Sequence, residues 1–447
     1  VAGMKIEIPP AVDRIINKLK ENGFEGYAVG GCVRDTLLGR SPEDWDITTS
    51  ARPEEVKRIF PRTIDTGIQH GTVTVMDNRT GYEVTTYRVD GEYEDGRHPK
   101  AVSYTSSLTE DLKRRDFTIN AMAYSNESGI VDEFGGTDDL KKRIIRCVGS
   151  PEERFTEDAL RILRAIRFSA QLDFEIEAAT FEAIKKIAPN MEKVSKERIQ
   201  TELTKLLVSD HPDRIRSVFE RGIGPYISER FAQVENDIGK RGEEGWFCSS
   251  ELPDSRKYLR WACFLRFSGE AGAEKVLRDL KMDNDTISRV RTLVKWCYIP
   301  VEPQMTAVRS VMSKMDGGLF DDLLSLKRYA IRSDRHVPGG SQAENSSDRS
   351  GPEQRNSYLT ALNAIEEMKN AVREAGHCLY LKDLAITGKD LIEAGIQPGK
   401  TIGMVLESLL ADVLVCPEHN TKDYLMAHLP QLQDMLIEKE EQMKSPK

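Results

Sequence analysis

The chain has no apolar run approaching the roughly 18 residues of a membrane-spanning helix. With 39% hydrophobic and 31% charged residues, it has enough apolar material for a core and too much charge for a lipid-embedded protein. No fixed-period repeat is present, which argues against a solenoid. Its seven Cys, at 32, 147, 248, 263, 297, 378 and 416, show no metal-ligand spacing. An odd, scattered set of this kind points to reduced thiols in the cytoplasm. The opening Val1–Lys5 carries no apolar signal segment, and Val1–Gly3 reads as a scar before a native Met4. A basic excess is missing too: 64 Lys+Arg stand against 73 Asp+Glu, a formal charge of −9. Taken alone, that balance argues against a nucleic-acid partner.

What is present divides the 447 residues into distinct regions. Residues 1–150 read as mixed α/β. Helical spacing at Ala11–Leu19 stops at Gly23, and strand-like stretches follow at Tyr27–Val29, Trp45–Thr49, Thr72–Met76, Tyr82–Arg88 and Ala101–Tyr104. From about Thr156 helical periodicity dominates, at 156–171, 177–188, 195–208, 212–221, 254–267 and 271–281. The Gly-, Ser- and Pro-rich stretch Val337–Asn356 holds almost nothing that could enter a core and reads as a linker or loop. An amphipathic helix is expected over Ser357–Ala375, then a compact region to about Leu429 and a charged tail at Glu438–Lys447.

Two short patterns in the first region suggest chemistry. Gly30 and Gly31 lie between a strand and a helix, where backbone without Cβ atoms can approach a ligand and free N–H groups can meet an anion. Arg34, one turn on, could add charge-assisted bonds to a phosphate. Alone, Gly-Gly is more often an ordinary turn. The second pattern is Asp44-Trp45-Asp46. If it is a strand, both carboxylates share one face while Trp45 and Ile47 point to the core. Adjacent acids repel, and a divalent cation such as Mg²⁺, shared with substrate phosphates, removes that penalty. Glu83, in a strand-like run, could complete such a site or activate an attacking hydroxyl; it could equally be a solvated face residue.

A third pattern lies in the helical part. Thr156–Phe168 places Thr156 as an N-cap, Glu157 and Asp158 in the first turn, and Arg161, Arg164 and Arg167 at intervals of three among apolar residues. Arginines in a mostly buried helix are costly without partners. Asp158 and Arg161, at i and i+3, put an acceptor beside a donor. That pair matches the amino and ring-nitrogen edge of cytosine or adenine and mismatches guanine and uracil. An intrahelical ion pair is the plainer alternative.

Taken in order, Gly30-Gly31-x-x-Arg34-Asp35, Asp44-x-Asp46, Arg114-Arg115-Asp116-Phe117-Thr118-Ile119-Asn120-Ala121-Met122-Ala123 and Glu157-Asp158-x-x-Arg161-x-x-Arg164 resemble the class II tRNA nucleotidyltransferases, the bacterial CCA-adding enzymes and their poly(A) polymerase relatives. The resemblance is strong over about residues 24–210. Leu384–Leu391 through Asn420 is similar to the C-terminal region of the Gram-positive type, which lacks a phosphohydrolase domain, and no His-Asp dipeptide occurs.

The resemblance implies an α+β protein shaped like a seahorse: a nucleotidyltransferase head (1–150) with a mixed β-sheet, then an all-α neck (151–215), body (216–336), linker (337–356) and body/tail (357–447). It implies Mg²⁺ on Asp44 and Asp46, with Glu83 a third catalytic carboxylate. Gly30, Gly31 and Arg34 would meet the triphosphate, and Arg115, Asp116 and Asn120 the sugar and phosphates. Asp158, Arg161, Arg164 and Arg167 would choose the base. Lys196-Glu197-Arg198 and Glu202 fall on the neck without an assigned contact. Arg88–Pro99 occupies the place of a flexible loop that accompanies the final A addition, which sets the chain apart from enzymes adding only CC.

The expected activity is therefore addition of C, C and A to the tRNA 3′ end from CTP and ATP. Its rivals are an enzyme adding only the terminal A, a poly(A) polymerase, a transferase acting on a small molecule, and a catalytically silent RNA-binding scaffold. Since neither 1–150 nor 151–230 is basic overall, the cations for tRNA must be gathered by folding, from residues such as Lys185, Lys186, Lys193, Lys196 and Arg198.

Overall fold

The computed structural model describes residues 5–91, 102–240, 250–334 and 351–431. Its strands are β1 Gly26–Val29, β2 Ile47–Thr49, β3 Thr63–Gly67, β4 Thr72–Asp77, β5 Thr80–Thr86, β6 Arg88–Asp90, β7 Val102–Tyr104, β8 Met122–Ser125 and β9 Gly129–Asp132. Seven of them form one mixed sheet in the order β3-β4-β5-β2-β1-β8-β9, and β6 pairs with β7 apart from it. β2 and β5 run parallel, with Ile47 beside Val84, and the other neighbours in the sheet are antiparallel. β2 is the central strand, and Ile47, Thr48 and Thr49 are all buried. Buried hydroxyls need partners. Thr49 donates to the Glu25 carbonyl (2.6 Å) and Thr48 to the Asp111 carboxylate (3.0 Å).

This is the expected α+β architecture, with local differences. Asp44, Trp45 and Asp46 precede β2 rather than forming its first residues, and Trp45 is half-buried instead of in the core. Strands β3, β8 and β9 were not evident from alternation. β8 is buried at every position and so shows no polar face to read. The helix expected over Ala11–Leu19 is there, as Pro10–Glu21, with Val12, Ile15, Ile16 and Leu19 buried at helical spacing.

The helix expected over 156–171 is two helices. Pro151–Glu157 begins at Ser150, whose hydroxyl accepts from the Glu153 N–H, and Leu160–Leu172 follows an extended Asp158 (φ −147°, ψ 103°). Thr156 is therefore not an N-cap; in the last turn of the first helix its hydroxyl donates to the Glu152 carbonyl (2.7 Å). Ser150-Pro151-Glu152-Glu153 carries the stronger start signal, a capping residue with proline at the first helical position. Helix Lys196–Leu207 packs against Leu160–Leu172, whose Ile162, Leu163, Ala165 and Ile166 are at most 1% exposed, and Ala178–Ile187 packs against Pro151–Glu157.

The chain divides into two compact units. The first contains the described residues up to 236 with 250–264 and 275–284; the second contains 237–240, 265–274, 285–334 and 351–431. In the second, Arg266 and Asp334 form a buried ion pair (2.7 Å) to which the Tyr298 hydroxyl donates (2.5 Å). Its later part packs Leu384, Ile386, Leu391, Val405, Leu409 and Val413 into one cluster. The helix expected at Ser357 starts at Pro352, so residues 352–356 belong to it rather than to a linker. Residues 337–350 of that linker, 92–99 of the expected loop and the tail 438–447 lie outside the described residues.

Candidate functional site

The Gly30 turn joins β1 to the helix Gly31–Leu37. Gly30 has φ +82°, and a Cβ there would stand 3.2 Å from Arg115 Nη1. The backbone angle requires glycine, and any Cβ would oblige Arg115 to give by a few tenths of an ångström. Arg34 lies 8% exposed beneath the turn, with its Nη2 3.6 Å from where a Gly31 Cβ would be. Its guanidinium donates to Asp35 (2.8 Å) and to Asn120 Oδ1 (2.7 Å) and lies over the Phe168 ring at 4.9 Å.

From Asn120 the polar contacts continue. Asn120 Nδ2 donates to Asp116 Oδ1 (3.2 Å), and Arg164 donates to Asp116 Oδ2 through Nε (2.7 Å). Arg164 Nη1 stands 3.9 Å from Glu202, which also accepts from Arg167 Nε (2.6 Å). The Gly-Gly turn, the Arg115-Asp116 segment and the helix Leu160–Leu172 are thus one connected polar network. Phe117 and Phe168 meet edge to face at 5.8 Å beside it, a contact worth about 0.5–1.5 kcal/mol beyond burial. Burial alone would raise the Asp116 pKa; Arg164 and Arg161 outweigh it and hold the carboxyl far below the ordinary carboxylate range.

The carboxylates sit at the end of β2. Ile47 pairs with Val84, which brings Asp46 and Glu83 side by side just beyond the paired residues. Asp44, Asp46 and Glu83 all reach solvent. Even so, the surrounding protein raises the Asp46 pKa by desolvation, Glu83 and then Asp44 raise it further, and Arg115 opposes them. The repulsion expected of neighbouring acids therefore acts at a strand end, more from Glu83 across the strands than from Asp44 along the chain. Among the described residues, no group of three or more His, Cys, Asp or Glu is drawn together as a finished metal cage. Mg²⁺ binds through one or two carboxylates plus substrate phosphates, so this partial, uncompensated donor set suits it.

The helix residues depart most from expectation. Asp158 and Arg161 are not paired, because the chain is extended at Asp158 and the two do not share a helical face. Asp158 accepts from Arg198 Nη1 and Nη2 (3.2 and 2.7 Å) and from the Leu160 N–H (3.1 Å). Arg161 pairs with Glu157 (2.5 Å) and donates to the carbonyls of Arg154 and Arg114. Arg167 is buried between Glu202 and Gln171.

Of the cations expected to gather for tRNA, Lys185, Lys186 and Lys193 are exposed, Arg198 is held by Asp158 and Lys196 by the Ile227 carbonyl. Sequence reasoning missed Asp111, a fully buried acid behind Arg115, and left Glu202 and Arg198 without contacts. An acid placed three to four residues before Arg114-Arg115 was the available signal for Asp111.

Comparisons with known proteins agree with this geometry. Residues 26–146 match the family model of the poly A polymerase head domain, 173–231 the model of an RNA- and SrmB-binding site of polymerase A, and 355–429 that of tRNA nucleotidyltransferase domain 2. The CCA-adding enzyme of Leuconostoc mesenteroides is 37% identical over 92% of this chain and 93% of its own length. That of Ligilactobacillus salivarius is 36% identical over 94% and 95%. Among solved structures, the Bacillus stearothermophilus CCA-adding enzyme in complex with CTP superposes with a TM-score of 0.73 at 30% identity, covering 98% of this chain and 100% of that one.

Proposed function

Because the chain belongs to the CCA-adding enzymes, we infer that its head and neck helices form the site that adds C, C and A to the tRNA 3′ end, consuming CTP and ATP and releasing pyrophosphate. The observation that carries this reading is the Asp116–Arg164 pair at 2.6 Å. It fixes the helix that would choose the base to the segment that would meet the sugar and phosphates, so selection and transfer occur in one frame.

Each group has a part in that frame. Asp44 and Asp46 would hold Mg²⁺, which supplies charge neutralisation at the reacting phosphate. Glu83, beside Asp46, accepts the proton of the attacking 3′ hydroxyl or completes the metal's ligands. The Gly30-Gly31 turn lets the triphosphate lie against backbone, and Arg115, at the turn, meets it from the side. Arg34 borders the turn and ties it to Asn120. Asp158 and Arg161 would offer an acceptor and a donor to cytosine or adenine once each leaves its present partner and Asp158 turns back toward Arg161, and Arg164 and Arg167 keep the helix in place from Asp116 and Glu202. Replacing Arg161 with Ala should relax the choice of C and A over U and G; unchanged selectivity would remove Arg161 from base reading.

The deciding assay uses Mg²⁺ and tRNA transcripts ending at the discriminator base, at C and at CC, with each NTP singly and then CTP with ATP. Extension of the shortest transcript by C, C and A is expected. Activity confined to the CC end would mean an A-adding enzyme, and unending A addition a poly(A) polymerase.

A further inference from the structure

Asp111 lies on the helix Leu108–Lys113 with no exposed surface. An isolated buried carboxylate is costly, and this one is surrounded by donors. Oδ1 accepts from the Arg88 N–H (3.2 Å) at the start of β6 and from Arg114 Nε (3.1 Å). Oδ2 accepts from the Thr48 hydroxyl (3.0 Å) of the central strand and lies 3.5 Å from Arg115 Nη2. Thr48 is two residues beyond Asp46. The same short segment supplies the Arg114 carbonyl to Arg161 (3.2 Å) and the Asp116 carboxylate to Arg164.

Arg115 has few other anchors. Its Nε is buried without a hydrogen-bond partner, and its Nη1 lies over the Gly30 turn. Its charge acts on Asp46 in front as well as on Asp111 behind. A long guanidinium side chain held mainly from behind depends on that hold for its position.

We propose that Asp111 is a positioning residue of the transfer site, fixing Arg115 against the Gly30 turn and tying it to the strand that carries Asp46 into place. This rests on the reading of Arg115 as a nucleotide contact. The acid itself touches neither substrate nor metal; it acts through Arg115.

The test is a double-mutant cycle of D111N and R115Q in the full chain, with a tRNA transcript ending at CC and varied ATP. D111N keeps the shape and loses the charge. It should raise the KM for ATP and lower kcat/KM by on the order of ten- to a hundred-fold. The double variant should be no worse than R115Q alone, since the acid has nothing left to position. R115Q with wild-type kinetics would overturn the reading of Arg115 itself. An impaired R115Q beside an unimpaired D111N, or losses that multiply in the double variant, would overturn the positioning role and leave the nucleotide reading standing. If D111N shows no cooperative thermal transition, D111E enters the same cycle under the same criteria, because it keeps the charge and displaces it by one methylene.

Discussion

Gly30 and Asp46 each sit where stability alone would not put them. At φ +82° and ψ −131°, any L side chain in place of Gly30 costs about 1–3 kcal/mol in backbone strain, and its Cβ would press on Arg115. Gly30→Ala should lower stability by that amount and also raise the KM for ATP and CTP, because Arg115 must move. Thermal unfolding and steady-state kinetics measure the two effects separately; an unchanged KM would show that the turn is only a turn. Asp46 gives a prediction of the opposite sign. Its folded-state pKa is raised, so the ionised form is disfavoured by folding and costs stability at neutral pH. That cost disappears as pH falls through the folded-state value. Asp46→Asn should therefore unfold at a slightly higher temperature than wild type without divalent cation near neutral pH, with the difference closing in acid, while incorporation is abolished. The gain is small because the side chain reaches solvent. A variant that melts lower would refute this account of the carboxylate cluster.

Asp116 belongs to the scale of elements, because it fastens a head segment to the helix Leu160–Leu172. Removing one partner of a buried pair costs about 3–5 kcal/mol, and with Arg164 33% exposed the lower end applies. Its folded-state pKa is depressed, so its contribution is complete above the ordinary carboxylate value and fades as pH falls toward the folded one. Asp116→Asn should lose about 3 kcal/mol in urea unfolding near neutral pH, and the gap to wild type should narrow in acid. A gap independent of pH would mean that the carboxylate's charge is not what joins the elements.

At this scale the sequence was legible where periodicity was strong, as in Pro10–Glu21 or Lys196–Leu207, whose buried faces repeat every three or four residues. It was illegible in β8, where every residue is buried and no alternation exists. The motif residues were found by type and spacing, yet their partners were not. Arg198 and Glu202 bind Asp158 and Arg167 from a helix about 40 and 35 residues further on, and only the packing of two helices reveals such pairs. The break at Asp158 was hidden for a local reason: the apolar pattern runs on through it, while one extended residue turns Asp158 away from Arg161.

For the whole molecule, the charge of −9 constrains how an RNA can be held. Several of the cations expected to serve RNA are already engaged by acids or carbonyls within the protein. Of that set, Lys185 and Lys193 stay exposed to displace counterions from phosphates. The logarithm of the tRNA binding constant should fall with the logarithm of salt concentration with a slope of about −2 to −4, well short of the roughly −10 of strongly electrostatic binders. Filter binding at several salt concentrations measures this, and a slope near −10 would overturn it.

Asp158 and Arg161 are each content with a companion of their own, Arg198 for one and Glu157 for the other. On the proposed reading of these two residues, a base would not fall into waiting hands; it would have to win each partner away from an incumbent. Both could meet one base only if Asp158, now turned away from Arg161, also swings back toward it, so reading a base would couple two exchanged ion pairs to one backbone movement.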